Sequence, residues 1–509
     1  MRHVYVAHER LWLALATVTF VVAIAIRVPL LRTPLTYAND AWRESDTAGI
    51  ARHFLRNGFR ILYPQVYWGG TGPGYVATEF QIYPLLTAAM YAAWGEHLYF
   101  GRLLSLLFFV LSGMLVYAFA RRMFGIQGAL WALFFVSFAP LSIRYSVAYM
   151  PEAMLLFFLI AGLYAFYEWL EGGSPLLLFL CGVSTALAIL IKPTALLLGL
   201  VYAALGLHRF GLAFLRRPLV WGLALLCLVP GVWWYWHAHR IYLEYGNTFG
   251  ILEGDTKFGD LTYWLSPSFY ISTVRLQAKW VFGGLGVLPF LISLGVAVRR
   301  RQYQLITYGA VALVIYYLAV ARAAEKWYSV HYHLLSIPFA CLGFGLGMVW
   351  LWQGGRYAAV RRWIAIAAAV SMLVVAGMFY DERVGAMENG WAQRQVECAA
   401  AVSALVPKEA RVVVSSLVPS QEHGRPRNYQ DPVILFNCDR YGWSLAEDDQ
   451  DAAHLDALRS QGAEFLVISS SSELQDHPQL GAYLAAEATQ IGPGLESFCG
   501  IYAFREAGR

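Results

Sequence analysis

Charged residues are scarce in this chain. They make up 14% of its 509 residues, whereas soluble domains contain about 25%. Apolar residues make up 58% of the chain. The basic residues are scattered and form no stripe of the kind that binds nucleic acid. A chain with this balance cannot cover its surface with polar groups, so lipid must solvate much of it. The apolar runs stop near residue 380, and the segment that follows has the composition of a soluble domain.

Common nucleotide-binding motifs are also missing. The sequence has no Walker-type phosphate loop and no dinucleotide fingerprint, which argues against a nucleotide-driven pump. Gly343, Gly345 and Gly347 do not form such a motif, because they lie inside an apolar run where close helix packing explains them.

Apolar runs of membrane-spanning length are plentiful instead. A spanning helix needs roughly 17–25 mostly apolar residues. The first run has no small-residue cleavage site after it, so we expect a retained span rather than a removed signal peptide. A helix at 83–95 is too short to cross and is expected along the membrane surface. Windows of spanning size predict about eleven spans, at 11–30, 99–120, 128–143, 153–170, 175–191, 194–208, 218–237, 282–298, 304–320, 334–352 and 363–379.

The arginines predict how these spans are oriented. Clusters at 121–122, 209–217, 299–301 and 356–362 fall in alternate connections, and the positive-inside rule places that side in the cytoplasm. With an odd number of spans, the first loop (about 32–98), the 238–281 connection and the C-terminal tail lie outside. We therefore expect a multi-pass protein of the inner (plasma) membrane with an extracytoplasmic C-terminal domain.

The tail has the pattern of a small α/β domain. Residues 411–415, 464–469 and 497–504 read as strands, and stretches near 451–462 and 478–488 read as helices. Its three cysteines show no CxxC spacing and allow one disulfide if the tail faces an oxidising compartment. The predicted fold is mainly α, a polytopic helical bundle at 1–380 followed by an α/β domain at 381–509.

Three carboxylates cluster in the first outer loop, where the membrane meets water. Asp40, Glu44 and Asp46 lie within seven residues, and ionisable groups beside a bilayer usually serve a function. Surroundings of low dielectric constant raise the pKa of a carboxylate and suit it to general-base catalysis. The structural alternative is that Asp46 precedes the helical stretch 48–55 and caps it.

The rest of that loop combines glycines, aromatic rings and polar groups. The segment 63–75 is rich in tyrosine, tryptophan and glycine, and Glu79, Gln81 and Tyr83 follow it. Such a set suits a sugar ring or a lipid head group. An interfacial aromatic belt would also place tyrosine and tryptophan here, but it would not require Glu79 or the glycines.

Further charged residues are predicted on the same side of the membrane. Together their cations would form a clamp for a phosphate group. The structural alternative for Lys192 is that its side chain snorkels to the membrane surface. His331 and His333 could bind a metal as a pair, but no third ligand is visible in the sequence. These residues are Arg144, Glu152, Lys192, Arg322, Lys326, His331 and His333.

Several local patterns together resemble the GT-C class of membrane glycosyltransferases. The chain is similar to bacterial members of the dolichyl-phosphate-mannose-protein mannosyltransferase family and to the aminoarabinose transferases. The patterns are Trp42-Arg43-Glu44-Ser45-Asp46-Thr47, Glu79-Phe80-Gln81-Ile82-Tyr83-Pro84, Gly101-Arg102, Tyr145-Ser146 with Pro151-Glu152, Lys192-Pro193, Trp327-Tyr328 through His333, and Asp439-Arg440-Tyr441-Gly442-Trp443.

The resemblance implies a donor sugar on a polyprenyl phosphate, a carboxylate base in the first outer loop and an inverted product. Many members carry adjacent Asp-Glu, which aligns here with Arg43-Glu44. Asp46 stands where bacterial relatives of the Trp-Arg-x-x-Asp-Thr type carry aspartate, so it is the first candidate base. Glu44 and Asp40 follow.

The resemblance also implies ligand-binding roles for other residues. The acceptor is left open as a protein, a lipid or a glycan, no nucleotide is required, and a divalent metal remains open as a cofactor. The donor phosphate is expected to bind Arg102, Lys192, Arg322 and Lys326. Substrate contacts are expected from Arg43, Glu79, Gln81, Tyr83, Arg144, Glu152, Tyr328, His331 and His333.

Two other classes of function compete with a transferase. A transporter or lipid flippase would also have many spans and intramembrane charges, but transporters place such charges at mid-bilayer in inverted repeats. Here the charges gather at one face and no repeat is visible. A non-catalytic assembly or receptor protein would leave the carboxylate-rich loop unexplained.

Overall fold

The computed structural model describes residues 2–35, 40–250, 257–354, 357–389, 391–422, 424–470, 472–492 and 499–505. The chain forms two compact units. The bundle unit comprises Met1–Arg32, Gly101–Trp234 and Lys257–Glu382. The loop–tail unit comprises Thr33–Phe100, Tyr235–Thr256 and Arg383–Arg509, so the first loop and the tail share one unit.

Helices account for most of the described chain, as the apolar composition predicts. Short 3₁₀ segments join several of them, including Pro193–Leu196 and Trp327–Ser336, and Gln277–Val281 is π-helical. The α-helices are α1 Arg2–Ala25, α2 Asp40–Arg56, α3 Ile82–Trp94, α4 Tyr99–Phe138, α5 Pro140–Tyr145, α6 Glu152–Leu170, α7 Pro175–Ile191, α8 Leu197–Phe210, α9 Pro218–Tyr245, α10 Leu261–Trp264, α11 Pro267–Leu276, α12 Val287–Arg299, α13 Gln304–Ala319, α14 Ala321–Ala324, α15 Ile337–Trp352, α16 Ala358–Asn389, α17 Trp391–Leu405, α18 Val433–Cys438, α19 Ala452–Ser460, α20 Ser472–Asp476 and α21 Pro478–Glu487.

Every predicted span overlaps a helix, and the prediction of a multi-pass membrane protein is confirmed. Within the described residues, seven helical segments are long and apolar enough to cross a membrane. The sequence predicted about eleven spans rather than seven for two reasons. Helix α4 holds two predicted spans and breaks at Gly125, whose φ of 76° interrupts the helix. Helices α7, α12 and α13 have 17, 13 and 16 residues, at or below the usual spanning length.

Close helix packing explains the glycines of α15. Helix α15 packs against α12 in the bundle unit. A Cβ atom on Gly347 would lie 1.9 Å from the carbonyl oxygen of Pro289, and one on Gly343 would lie 2.5 Å from the ring of Phe290. Only glycine lets the two backbones approach this closely, as is common between membrane helices.

The tail forms the predicted α/β domain around a five-stranded sheet of order β4-β1-β5-β7-β6. Strands β4, β1 and β5 are parallel, and β7 pairs antiparallel with β5 and β6. The predicted strands and both predicted helices are confirmed, although residues 497–498 lie outside the described residues. The short β4 and β6 were not predicted. The strands are β1 Val412–Ser415, β2 Gln421–Glu422, β3 Arg425–Pro426, β4 Gly442–Leu445, β5 Phe465–Ile468, β6 Ala488–Gln490 and β7 Gly500–Phe504.

One disulfide closes the tail. Cys398 on α17 is bonded to Cys499 just before β7, across 101 residues of sequence. Cys438 is a buried free thiol. The allowed single disulfide therefore pairs the first and last cysteines of the tail.

Within the loop–tail unit, the first loop is hydrogen-bonded to the start of β4. The Gly70 amide donates to the Gly442 carbonyl at 2.8 Å, and the Gly442 amide donates to the Tyr67 carbonyl at 3.0 Å. Gly70 has a φ of 69°, and a Cβ atom there would lie 2.5 Å from the indole nitrogen of Trp443. A glycine is therefore required where the loop meets the sheet.

Candidate active site

Helix α2 displays the three loop carboxylates on two different faces. Because α2 begins at Asp40, Asp46 lies inside the helix, and the interpretation of Asp46 as a helix cap is wrong. Asp40 and Glu44 are four residues apart, share one face and are buried. Asp46 lies on another face and is only partly buried. Of the three carboxylates, Asp46 is thus the most accessible to a substrate.

The environment of Asp46 favours its protonated form. The Trp68 indole nitrogen donates to Asp46 Oδ1 at 3.0 Å. Burial raises the pKa of Asp46 to about 8, against the opposing effects of this hydrogen bond and of the Arg43 charge. A carboxylate with a pKa near 8 is poised for proton transfer at neutral to mildly alkaline pH.

A polar network fixes Arg43 beside this carboxylate. An Arg43 guanidinium nitrogen donates to Glu79 Oε1 at 2.6 Å, and Thr78 donates to the other oxygen of Glu79 at 2.9 Å. Gln81 donates to the Thr78 hydroxyl and to the Glu79 carbonyl. The structure thus brings together Arg43, Glu79 and Gln81, whereas Tyr83 is buried on α3. Arg43 is held in place as part of an ion pair.

The tail contributes a fourth carboxylate, Asp431. Its Oδ1 accepts from the Val433 amide at 2.9 Å and its Oδ2 accepts from Gln395 at 2.5 Å. Burial raises the pKa of Asp431 to about 6, against these two hydrogen bonds and one from the Trp42 side chain. The charge of Asp431 also contributes to the raised pKa of Asp46. No local motif marks Asp431 in the sequence, so sequence reasoning missed it.

Sequence reasoning also left out Trp68 and Phe249 as site residues. The rings of these two residues are 6.1 Å apart, and the Arg43 guanidinium lies 5.6 Å from the centre of the Phe249 ring. Trp68 stands in the aromatic and glycine-rich segment that drew attention to the loop. Phe249 lies in the long 238–281 connection and carries no such signal.

The C-terminal half of α2 is anchored to the tail through Asp439. Arg56 donates to Asp439 Oδ1 at 2.7 Å, and the Tyr67 hydroxyl donates to the same oxygen at 2.8 Å. Burial would raise the pKa of Asp439, but these hydrogen bonds and the charge of Arg56 lower it. Arg52 adds a bond to the Phe436 carbonyl at 2.9 Å. The segment 439–443, one of the patterns that resemble the family, thus holds α2 in place.

In the bundle unit, Lys192 and Glu152 form a buried ion pair. Lys192 ends α7 and Glu152 begins α6, and Lys192 Nζ donates to Glu152 Oε1 at 2.5 Å. Lys192 Nζ also lies 5.7 Å from the ring centre of Tyr332. Within the described part of the chain, Glu152 Oε2 has no hydrogen-bond partner. The snorkelling alternative for Lys192 is therefore wrong, because its ammonium group is buried against a carboxylate.

The other predicted cations surround the same region of the bundle unit. Arg102, Arg144 and Arg322 are buried. Arg102 donates to the Val147 carbonyl at 2.7 Å, and Arg144 lies 5.0 Å from the ring centre of Trp280. The 3₁₀ segment Trp327–Ser336, which follows Lys326, packs against the helices that carry Arg144, Glu152 and Arg322. The structure thus groups Arg144, Glu152 and Arg322 around one segment.

The two histidines of that segment differ in their surroundings. His333 is buried, with Nε2 bonded to the Ala324 carbonyl and Nδ1 bonded to Gln277, both at 2.9 Å. Both ring nitrogens are therefore already engaged. His331 packs edge-on against Tyr145 at 6.4 Å, and Tyr328 packs against Trp327. Among the described residues, no group of three or more His, Cys, Asp or Glu is placed to hold a metal ion.

The fold and part of the sequence match known proteins. Residues 82–236 match the family model of the dolichyl-phosphate-mannose-protein mannosyltransferases. The fold is similar to that of ArnT from Cupriavidus metallidurans, with a TM-score of 0.64 over 98% of each chain at 14% identity in the apo state. With undecaprenyl phosphate bound to ArnT, the TM-score is 0.62 over 97% of each chain at 16% identity. A comparison with curated proteins found no match by sequence.

A second similar structure is archaeal. It is the oligosaccharyltransferase AglB from Archaeoglobus fulgidus in complex with an inhibitory peptide and a dolichol-phosphate. The TM-score is 0.57 at 11% identity, over 96% of this chain and 74% of that one. The chain has a GT-C fold.

The resemblance predicted from local motifs is thereby confirmed. The matched segment 82–236 contains Tyr83, Arg102, Arg144, Glu152 and Lys192. It does not include the carboxylates of α2, so the assignment of the base rests on the geometry around Asp46 and stays a prediction.

Proposed function

We propose that the chain is an integral membrane glycosyltransferase that moves a sugar from a polyprenyl phosphate to an acceptor hydroxyl. The observation that carries this proposal is Asp46, a partly exposed carboxylate with a pKa of about 8, held by Trp68 and flanked by Arg43. A fixed group with a pKa near the working pH is what general-base catalysis needs.

The similar structures support the lipid-linked donor. ArnT binds undecaprenyl phosphate and AglB binds a dolichol-phosphate, both of which are polyprenol-type phosphates. The family model that matches 82–236 is likewise named for a sugar carried on dolichyl phosphate. The donor we propose for this chain is therefore a sugar attached to a polyprenyl phosphate.

The reaction is a single displacement at the anomeric carbon. Asp46 accepts the proton of the acceptor hydroxyl as that oxygen forms its bond to the anomeric carbon. The bond between the anomeric carbon and the phosphate oxygen breaks, and polyprenyl phosphate leaves with the electron pair. Attack from the side opposite the leaving group inverts the configuration. From the sequence resemblance we expect Arg102, Lys192, Arg322 and Lys326 to offset the phosphate charge and stabilise the leaving group.

We place the reaction on the outer face of the inner membrane. The arginine clusters at 121–122, 209–217, 299–301 and 356–362 support a cytoplasmic position for the opposite ends of the spans. The Cys398–Cys499 disulfide supports an oxidising compartment for the tail, because disulfides are rare in the cytosol. The acceptor is a hydroxyl of a protein, a lipid or a glycan that this compartment contains.

An assay with labelled donor separates an enzyme from a flippase. The full-length chain is placed in vesicles that contain undecaprenyl phosphate carrying a radiolabelled sugar, with envelope extract as the acceptor. We expect label to leave the lipid, either transferred to acceptor or released to water. Movement of the intact labelled lipid to the opposite leaflet, without loss of label, would instead establish a flippase.

Replacing Asp431 with asparagine should move the pH dependence of transfer to lower pH. Above pH 6 Asp431 is largely ionised, and its charge raises the pKa of Asp46. Removing that charge lowers the pKa of Asp46, so Asp46 becomes a competent base at lower pH. We expect a shift of roughly half to one pH unit in the rising limb, as for one charge–charge interaction of about 1 kcal/mol.

Asp476→Asn is the matched control, because Asp476 is an exposed aspartate of the same domain. It should leave the pH profile unchanged. If Asp431→Asn lowers the rate equally at every pH without moving the limb, Asp431 acts only through stability.

A further inference from the structure

A cavity of about 630 Å³ opens in the loop–tail unit beyond the C-terminal end of α2. The residues that carry its chemistry are Phe59, Arg60, Tyr63, Tyr75, Glu244 and Tyr245. We propose that this cavity binds a sugar ring of the acceptor, which is therefore a glycan or glycoconjugate. The inference rests on the proposed function, because it names the class of acceptor.

Three tyrosines form an aromatic surface in the cavity, with neighbouring rings tilted by 52° and 84° to one another. The ring centres of Tyr63 and Tyr75 are 5.1 Å apart, and those of Tyr75 and Tyr245 are also 5.1 Å apart. Tyr63 also packs edge-on against His237, which is bonded to the Leu62 carbonyl at 3.0 Å. An aromatic face packs against the C–H face of a sugar and leaves the hydroxyls to hydrogen-bond at the edge.

One cation and one carboxylate complete the lining. Arg60 can donate to sugar hydroxyls and Glu244 can accept from them, and both side chains are exposed. This balance of charge suits a neutral polyhydroxyl ligand better than a phosphate group, which an acidic neighbour would repel. A few polar groups on an aromatic lining are typical of small-molecule sites.

The backbone around the cavity is held by interactions that do not involve a ligand. Gly58 and Phe59 adopt positive φ values of 83° and 58° where α2 ends, and the Phe59 amide donates to the Phe54 carbonyl at 2.8 Å. This arrangement is a C-terminal cap of α2, so the backbone at Phe59 is fixed without a ligand.

A hairpin carries two of the tyrosines. Gln65 pairs with Tyr75, and the Val66 amide donates to the Gly74 carbonyl at 2.8 Å. Gly74 has a φ of 71°, and a Cβ atom there would lie 2.6 Å from the Val66 carbonyl oxygen. The third tyrosine, Tyr245, is the last residue of α9. Just after it, the Asn247 side chain donates to the Tyr75 carbonyl at 3.0 Å. The aromatic surface is therefore preorganised.

The position of the cavity along α2 assigns it to a distal sugar. Asp46 and Arg56 are ten residues apart on one helix, which corresponds to about 15 Å at 1.5 Å per residue. Because Arg60 lies beyond the end of α2, we infer that a ring held next to it is not the ring whose hydroxyl Asp46 deprotonates. The cavity would instead hold a sugar farther along an extended acceptor.

Saccharide binding is measured without donor, so its outcome is independent of transfer. The full-length chain is kept in a detergent that lacks a sugar head group, which would compete for the cavity. The probes are methyl glycosides of mannose, glucose, galactose and arabinose, together with a linear mannotriose, observed by saturation-transfer NMR. We expect at least one probe to bind, which is seen as magnetic saturation transferred from the protein to the C–H protons of that probe. Absence of binding by every probe overturns the proposal.

Variants locate the binding. Tyr63→Ala and Tyr245→Ala should each weaken it at least tenfold, and Glu244→Gln, which changes one exposed group without altering packing, should weaken it about tenfold. Tyr99→Ala is the matched control, since Tyr99 is 41% exposed against 39% for Tyr63 and also packs against aromatic rings. Binding that survives both Tyr63→Ala and Glu244→Gln overturns the proposal, and so does binding lost equally in Tyr99→Ala.

A lipid head group is the competing ligand. The probe for it is glycerophosphoglycerol. If this probe binds and the saccharides do not, and if Arg60→Gln abolishes its binding, the cavity is a lipid head-group site and the proposal is overturned. Failure of the proposed function looks different, because saccharides would bind at the cavity while label never leaves the donor lipid.

Discussion

Asp46→Asn should lower the rate of sugar transfer by about 10²–10⁴-fold, the usual contribution of a general base. The asparagine oxygen can still accept from Trp68, which donates to Asp46 at 3.0 Å, so the local geometry is retained. Below pH 8 the native carboxyl is mostly protonated, and asparagine resembles that form. We therefore expect an unchanged melting temperature and unchanged donor binding.

The pH profile distinguishes a base from a structural group. Because the pKa of Asp46 is raised to about 8, wild-type activity should rise with pH through that value and level off above it. The residual activity of Asp46→Asn should lack this limb. Glu44→Gln and Asp40→Asn are the matched controls, since both residues lie on the buried face of α2. Full activity in Asp46→Asn, with loss in either control, would move the base to that residue.

Lys192→Met should lower the free energy of unfolding by about 3–5 kcal/mol, because it leaves the Glu152 carboxylate buried without its partner. The double variant Lys192→Met/Glu152→Gln should recover to within about 1 kcal/mol of wild type, since a neutral pair needs no compensating charge. Thermal unfolding of the detergent-solubilised chain, read as a double-mutant cycle, measures the coupling.

An exposed ion pair of the same unit provides the control. Arg121 donates to Glu9 at 3.0 Å, and about half of each side chain is exposed, so Arg121→Met should cost less than about 1 kcal/mol. A double variant as unstable as Lys192→Met would contradict the assignment of a buried pair.

The activity of the same double variant tests whether Lys192 and Glu152 take part in binding the donor phosphate. A stable double variant that no longer transfers sugar would place Lys192 or Glu152 in the donor site. Transfer at the wild-type rate would restrict the pair to a structural role.

The positions of the helices were predictable because they depend on local composition. A run of apolar residues is stable in lipid wherever it lies in the chain, so each predicted span overlaps a helix. The tail strands at 412–415 and 465–468 were predictable for a similar reason, since each is a short buried apolar run. Strand β4, Gly442–Leu445, has no such run, and it is a strand because it pairs with β1.

The site was only partly predictable. The carboxylates of α2 and the Lys192 region stood out because charge is rare in an apolar chain. The partners of those charges did not. Trp68 is 22 residues from Asp46, Glu152 is 40 residues from Lys192, and Asp431 comes from the tail.

The sequence by itself determined where the chain enters lipid, which residues are charged there and which family its motifs resemble. The tertiary structure alone decided that the first loop and the tail form one unit, that Asp46 rather than Asp40 or Glu44 is accessible, and that Tyr245 joins Tyr63 and Tyr75 around one cavity. The physical reason is how far apart in the sequence the interacting residues lie. Transfer into lipid is a sum over neighbouring residues, whereas the exposure and pKa of a side chain depend on groups that only folding brings near.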